Sequence, residues 1–183
     1  FVAVKSETKQ ASAVIFRTRD LLVGQRTQII NAIRGHMTEF GFVAPQGPSH
    51  IERLIAQIAE PASAIPEAAR QCLLILVETL RPVQQKIKVL DEQIGRRAKA
   101  DAVARRLMSI PGIGAMTATA IETLSPPFET FRSGRDFAAW IGLTPLEKST
   151  GGKERLGRTS KMGERTLRRL LIIGASAVVL SAR

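Results

Sequence analysis

Ser149 heads the run Ser149-Thr-Gly-Gly-Lys153, with Lys148 before it and Arg155, Arg158 and Thr159-Ser160-Lys161 after it. A hydroxyl in a flexible glycine loop ringed by cations suits attack on a phosphodiester. The phosphoserine link so formed would conserve the energy of the cut bond, and Lys148, Lys153, Arg155 and Arg158 would neutralise charge developing on the phosphoryl oxygens. No residue beside the serine in sequence is an obvious base. The alternative is a serine that only hydrogen-bonds a phosphate or its own turn. Over residues 148–169 eight basic residues stand against two acidic ones, which is +6 of the chain's formal charge of +11.

Pro111-Gly-Ile-Gly114 is the second candidate, a turn between two apolar helical halves preceded by Arg96, Arg97, Lys99, Arg105 and Arg106. This is a helix-hairpin-helix pattern. Its glycines let the backbone approach a phosphate, and the amides that open the second helix hold the anion with the positive end of the helix dipole. Gly112, Ile113 and Gly114 would grip backbone rather than base edges, giving affinity without sequence preference. The alternative is a tight turn between two core helices.

Other chemistries are excluded by what the chain lacks. One cysteine, Cys72, cannot form an internal disulfide, and with His36 and His50 it makes no Cys/His metal cluster of ordinary spacing, so an intracellular, zinc-free chain is expected. There is no phosphate loop, dinucleotide fingerprint, Ser/His/Asp or Cys/His arrangement, or pair of carboxylates on a strand. Aromatics at 4%, with no tyrosine, weigh against rows of base-stacking platforms. No segment reaches the roughly 20 apolar residues of a membrane span, and nothing at the start reads as a signal peptide. With 183 residues, 44% of them hydrophobic, the chain is foldable, and its basic surplus points to nucleic acid or an anionic surface. Because it opens on Phe1 rather than Met, a piece of something longer is expected.

The elements that must position these residues read as mainly α. Residues 5–40 are helical in period, with Val14, Leu21, Leu22, Ile29, Ile30 and Ile33 on one side, stopped by Gly35 and Gly41. A loop over 43–49 leads to Ser49 as N-cap with Glu52 completing a capping box, and Pro61 and Pro66 bracket a second break. Leu73, Leu76, Leu80, Val83, Ile87, Leu90 and Ile94 are spaced 3 and 4 apart, the seam of a coiled coil. Either a new helix begins near Pro82 or one helix continues through it in phase. The seam packs either on its own domain or as a two-helix or intersubunit coiled coil. Ser125-Pro-Pro127 ends the hairpin, Ser133 caps a short helix with Asp136, and Gly142 closes it. Residues 143–161 show no sustained period. The last helix, over about 163–181, has a basic first turn and an apolar half, 170–180, expected in the core.

These motifs together resemble a known family. Ser109-Ile-Pro-Gly-Ile-Gly, Phe137-Ala-Ala-Trp-Ile-Gly-Leu-Thr-Pro145, the run from Ser149 to Lys161 and Arg168-Arg-Leu-Leu171 look like the C-terminal domain of insertion-sequence 110 family transposases, the 1111 branch included. Arg17, Leu21 to Val23 and Asn31-Ala-Ile-Arg-Gly-His-Met-Thr-Glu-Phe-Gly41 resemble the tail of that family's RuvC-like nuclease domain. The resemblance implies residues 1–60 as the tail of a truncated DEDD domain, 66–106 as coiled-coil or linker helices, and 107–183 as a C-terminal transposase domain with its helix-hairpin-helix and serine loop. It implies a DNA transposase in which Ser149 is the nucleophile, Ser160 being the second choice. Gly112, Ile113, Gly114, Lys148, Lys153, Arg155, Arg158, Lys161 and Arg165 would contact DNA. It further implies Mg²⁺ for the full-length protein, with no cofactor or metal ligand in this chain, a structured guide RNA, homo-oligomerisation through the coiled coil, and a cytoplasmic, nucleoid-associated bacterial setting. The metal-binding carboxylates would precede Phe1, so this chain alone is expected not to cut DNA. The competing reading is a non-enzymatic helix-hairpin-helix module that binds nucleic acid.

Overall fold

The structure is a computed structural model that describes residues 6–47, 50–153 and 155–182. It is mainly α and divides into two compact units, one holding Arg17–Leu90 and the other the chain up to Phe16 together with the chain from Asp91. Two long helices run through both units, α1 (Glu7–Glu39) and α3 (Glu67–Ala100).

In the unit of residues 17–90, three helices close on one core. Ile30, Ile33 and Met37 of α1 meet Ile51, Leu54 and Ile58 of α2 (Ile51–Ala59) and Leu73 and Leu80 of α3, all nearly or fully buried. Gly35 does not stop α1, contrary to expectation. Within a helix a glycine costs only about 1 kcal/mol, less than burial of Ile33 and Met37 on either side returns. The helix ends at Gly41, whose φ of +83° is left-handed, with Gly41 N–H donating to Thr38 O at 3.0 Å and Phe42 N–H to Met37 O at 3.0 Å. That pair of bonds is a Schellman close. Ser49 lies outside the described residues, and His50 occupies the N-cap position of α2 without a side-chain cap bond.

Helix α3 continues through Pro82 as one element. Its phase holds: heptad-spaced Leu73, Leu80, Ile87 and Ile94 are 2%, 0%, 4% and 1% exposed, while Leu76, Val83 and Leu90 are half-buried. Proline at a solvent-facing helical position loses one backbone hydrogen bond but keeps a helical φ, so a strongly buried stripe carries the helix past it. The seam is covered from within the chain, Leu73 and Leu80 by α1 and α2, and Ile94 by Ala13 and Phe16 of α1.

The other unit is built around α5 (Ala115–Leu124), of which seven residues from Thr117 to Leu124 are buried. Such a helix is apolar on most faces because neighbours cover most of them. They include α4 (Ala102–Leu107), α6 (Gly134–Trp140) and α7 (Arg165–Ser181), with Ile121, Leu124, Ile141 and Leu167 at the centre. Asp101 caps α4 by accepting from Ala104 N–H at 2.7 Å, and Ser133 caps α6 by accepting from Asp136 N–H at 3.3 Å, as its sequence predicts. Phe128, Phe131, Phe137 and Trp140 form one ring cluster with centroids 5.3–6.2 Å apart.

The expectation for the last helix is overturned. Only Leu167 of α7 is fully buried, and Ile172, Ile173, Val179 and Leu180 are 49%, 58%, 60% and 70% exposed. Consecutive helical residues turn by about 100°, so an unbroken apolar run covers every face and only the strip toward α5 can be buried.

Candidate functional site

Residues 143–161, expected to lack regular structure, form a β-hairpin. Strand β1 (Pro145–Glu147) pairs antiparallel with β2 (Leu156–Thr159). The ladder continues upward, with Lys148 N–H donating to Arg155 O at 2.8 Å and Thr150 bridged to Lys153. Gly151 and Gly152, with φ of +60° and +77°, make the two-residue turn at the tip. Positive φ at both central positions defines a type I′ turn, whose twist matches that of the strands it joins. A Cβ on either glycine would meet nothing within 4 Å. The glycines therefore serve turn geometry, and the flexible loop expected at this serine is a paired hairpin.

Pairing also fixes the serine. Ser149 Oγ–H donates to Glu147 Oε1, and Arg155 N–H donates to Ser149 Oγ at 3.0 Å. Residues two apart on a strand share a face, which brings the carboxylate to the hydroxyl. Glu147 is the residue sequence reasoning missed, and i, i+2 spacing was its signal; it went unread because no strand was recognised. Three residue steps in β2 oppose two in β1 between the pairs Pro145–Thr159 and Glu147–Leu156, a bulge beside Gly157. Lys148, Lys153, Arg155 and Arg158 are exposed side chains of the same hairpin, whereas the serine is half-buried. Ser160 lies at the other end of the hairpin, its N–H donating to Thr144 O at 2.9 Å, about five strand residues or roughly 16 Å from Ser149.

The base of the hairpin is clamped to the helices. Gly142, with φ of +74°, closes α6, and a Cβ there would lie 1.9 Å from Met162 O. Gly163, with φ of +96°, would place a Cβ 1.9 Å from Trp140 O. Between them Lys161 N–H donates to Gly142 O at 3.1 Å, and the Arg168 guanidinium donates to Ile141 O at 2.8 Å and Met162 O at 3.3 Å. Arg168 thus works on backbone carbonyls, whereas Lys161 and Arg165 are exposed where the chain leaves the hairpin for α7. Lys161 has a left-handed φ of 54°, alone in this among the described non-glycine residues. The conflict between a basic first turn and the helix dipole is relieved at Glu164, which caps α7 by accepting from Thr166 N–H at 3.2 Å.

The Pro111–Gly114 turn joins α4 to α5, but its residues divide. A Cβ on Gly112 (φ +83°) would lie 2.7 Å from Gly174 O, and one on Gly174 would lie 2.1 Å from Gly112 O. Gly112 is therefore packed on α7 along its Cβ direction, and it is half-buried. Ile113 fills the core between α4 and α5. Gly114 is exposed, and α5 opens there without a side-chain cap. Gly174 lies nine residues along α7 from Arg165, roughly 14 Å, so the turn and the hairpin are separate places on one unit. Among the described residues no three His, Cys, Asp or Glu side chains cluster to hold a metal ion, and no helix is long and apolar enough to cross a membrane.

Comparison with known proteins gives these places a context. Residues 104–183, which hold the turn, the hairpin and α7, match the family described as Transposase IS116/IS110/IS902. The whole chain is 40% identical over 183 residues to the putative transposase y4pF/y4sB of Sinorhizobium fredii, covering 47% of that protein. It is 40% identical over 182 residues to a probable family 20 transposase of Pseudomonas aeruginosa, 98% of this chain and 54% of that one. It is 34% identical over 180 residues to the transposase for insertion sequence element IS1111A of Coxiella burnetii, 98% of this chain and 50% of that one. The chain spans about half the length of the curated relatives it matches. The hairpin thus lies inside the segment, residues 104–183, that matches the IS116/IS110/IS902 transposase family, and the whole chain is similar to proteins named as transposases.

Proposed function

We propose that this chain is the part of a DNA transposase that binds DNA and supplies the nucleophile Ser149. The observation that carries the reading is the shared hydrogen bonding of Ser149 Oγ. Its proton points to the Glu147 carboxylate and one lone pair takes the Arg155 amide, leaving the other lone pair for attack. In the step proposed, an Oγ–P bond forms and the bridging P–O bond breaks. Glu147 takes the serine proton, and the departing oxygen takes one from water. Lys148, Lys153, Arg155 and Arg158 stabilise the charge gathering on the phosphoryl oxygens.

The test is an excision assay on the longer native protein with the DNA ends of its element. Ser149→Ala should abolish recombination, Glu147→Ala should slow it roughly 100-fold or more, and Ser160→Ala should leave it near wild type. Normal recombination by Ser149→Ala removes the nucleophile. Pairing of two chains through α3 belongs to the same reading. Since the heptad seam already packs within the chain, such pairing would use the face carrying Ile75 and Val89, 61% and 48% exposed.

The exposed, uncapped start of α5 at Gly114 favours a second reading, a non-catalytic module that grips DNA backbone there. On that reading Ser149→Ala changes nothing and bulk at Gly114 weakens binding.

A further inference from the structure

We propose a phosphodiester-binding cleft in the unit of residues 17–90, apart from the serine hairpin and independent of its chemistry. Arg26, Thr27, Ile30, Asn31 and Arg34 of α1, together with the loop at Gln46 and Gly47, line a cavity of about 400 Å³. The helical members are spaced i, i+1, i+4, i+5 and i+8, which sets them on one side of α1 over two turns. No carboxylate shares the lining.

The two arginines carry the inference. Both are half-buried, and the Nε of each is shut off from solvent without a hydrogen-bond acceptor. A buried guanidinium N–H left without an acceptor is costly, and native structures satisfy nearly all such groups. Arg34 spends one terminal nitrogen on Gly47 O at 2.7 Å, which holds the loop against the helix while its Nε still lacks an acceptor. Thr27 Oγ1 donates to Val23 O at 2.9 Å and keeps acceptor lone pairs only, so the remaining neutral donors are the amides of Asn31 and Gln46. Ile30, 6% exposed, gives the cleft an apolar floor that weakens screening of the two charges. A site with two guanidinium forks, amide donors and no acid takes an anion with several acceptor oxygens. Roughly 12 Å of helix rise separates Arg26 from Arg34, more than one isolated phosphate spans, so the occupant is a run of nucleic-acid backbone.

The test uses this chain with a labelled DNA duplex and an RNA hairpin of matched length. Binding is measured across a salt series, and inorganic phosphate alone is the control. Arg26→Gln/Arg34→Gln should weaken binding to DNA, RNA or both by tenfold or more near 0.1 M salt. On duplex DNA it should lower the slope of log K against log salt by close to two contacts' worth, at about 0.9 per phosphate. Arg26→Lys/Arg34→Lys should restore the slope while recovering only part of the affinity, because an ammonium lacks the fork. The nucleic acid that loses affinity identifies the source of the phosphodiester. Arg26→Gln alone leaves the Arg34–Gly47 bond in place and carries the test should the double variant unfold. A Lys153→Gln/Arg155→Gln/Arg158→Gln variant reports the hairpin separately. The proposal is overturned if Arg26→Gln changes neither affinity nor slope for either nucleic acid. It is equally overturned if inorganic phosphate alone raises the melting temperature of wild type and not of Arg26→Gln while both bind nucleic acid alike.

Discussion

Gly142→Ala and Gly151→Ala place the same methyl group on the same kind of backbone, and their difference measures how firmly the hairpin is seated. Both glycines have left-handed φ, +74° and +60°. For each, an alanine costs about 1–2 kcal/mol in backbone strain, partly offset by about 0.4–1 kcal/mol from the stiffer unfolded chain. At Gly151 nothing else happens, because no atom lies within 4 Å of the new Cβ. At Gly142 the Cβ would sit 1.9 Å from Met162 O, 2.7 Å from Met162 N and 2.9 Å from the Arg168 guanidinium. The strand exit must retreat by roughly 1 Å, in an interior packed too densely to absorb it. The retreat breaks or stretches the bonds from Lys161 N–H to Gly142 O and from Arg168 to Ile141 O and Met162 O. One backbone bond at about 1 kcal/mol and a charged one at about 1.5–3 kcal/mol put the added loss near 2.5–4 kcal/mol. At about 4–8 °C per kcal/mol for a unit of this size, Gly142→Ala should melt at least 10 °C below Gly151→Ala. Trp140, the single tryptophan, sits in the ring cluster beside the clamp, so its fluorescence during heating reports this unit. Melting of the two variants within a few degrees of each other would refute the clamp.

Three further outcomes follow from particular contacts. Lys161→Gly relieves the left-handed strain at that position, so stability should rise by about 1 kcal/mol in chemical denaturation even as DNA affinity falls, separating the residue's charge from its backbone. Leu80→Ala should cost about 2–5 kcal/mol because the side chain is fully buried, whereas Ile75→Ala on the same helix, 61% exposed, should cost under about 0.5 kcal/mol. At the start of α3, hydrogen bonds from Arg70 first and Gln71 second hold the Glu67 carboxyl below its usual range. A lowered folded pKa contributes stability above the unfolded value that is lost as pH falls through the folded one. The melting difference between wild type and Glu67→Gln should therefore be present at neutral pH and vanish on acidification below the carboxylate range.

Sequence alone exposed the helices that carry strong periodicity or explicit caps. The heptad positions of α3, the Ser133 cap, and the Gly41 and Gly142 closures all left local marks, because a helix end is written in two or three residues. What remained unread depends on contacts distant in sequence. The short hairpin has too few residues for a period-2 signal, so Glu147 looked like one more surface acid, not the partner of Ser149. Gly112 reads locally as a phosphate-facing glycine, yet it meets Gly174, more than sixty positions away, and no local pattern encodes that pairing. Exposure of Ile172, Ile173 and Leu180 was likewise beyond reach, since hydrophobicity tells which residues favour burial and not how many neighbours exist to bury them. Arg168 counted as one cation among eight until its two backbone carbonyl partners set it apart.

Whether Ser149 forms the covalent link to DNA, as proposed, is decided by trapping that link. The longer native protein would be reacted with a nicked suicide DNA substrate that cannot be rejoined, digested with protease and nuclease, and mapped by mass spectrometry. A nucleotide-phosphate adduct is expected on Ser149, absent in Ser149→Ala, reduced in Glu147→Ala and retained in Ser160→Ala. An adduct on Thr150 or Ser160, or an adduct that survives in Ser149→Ala, would contradict the proposal.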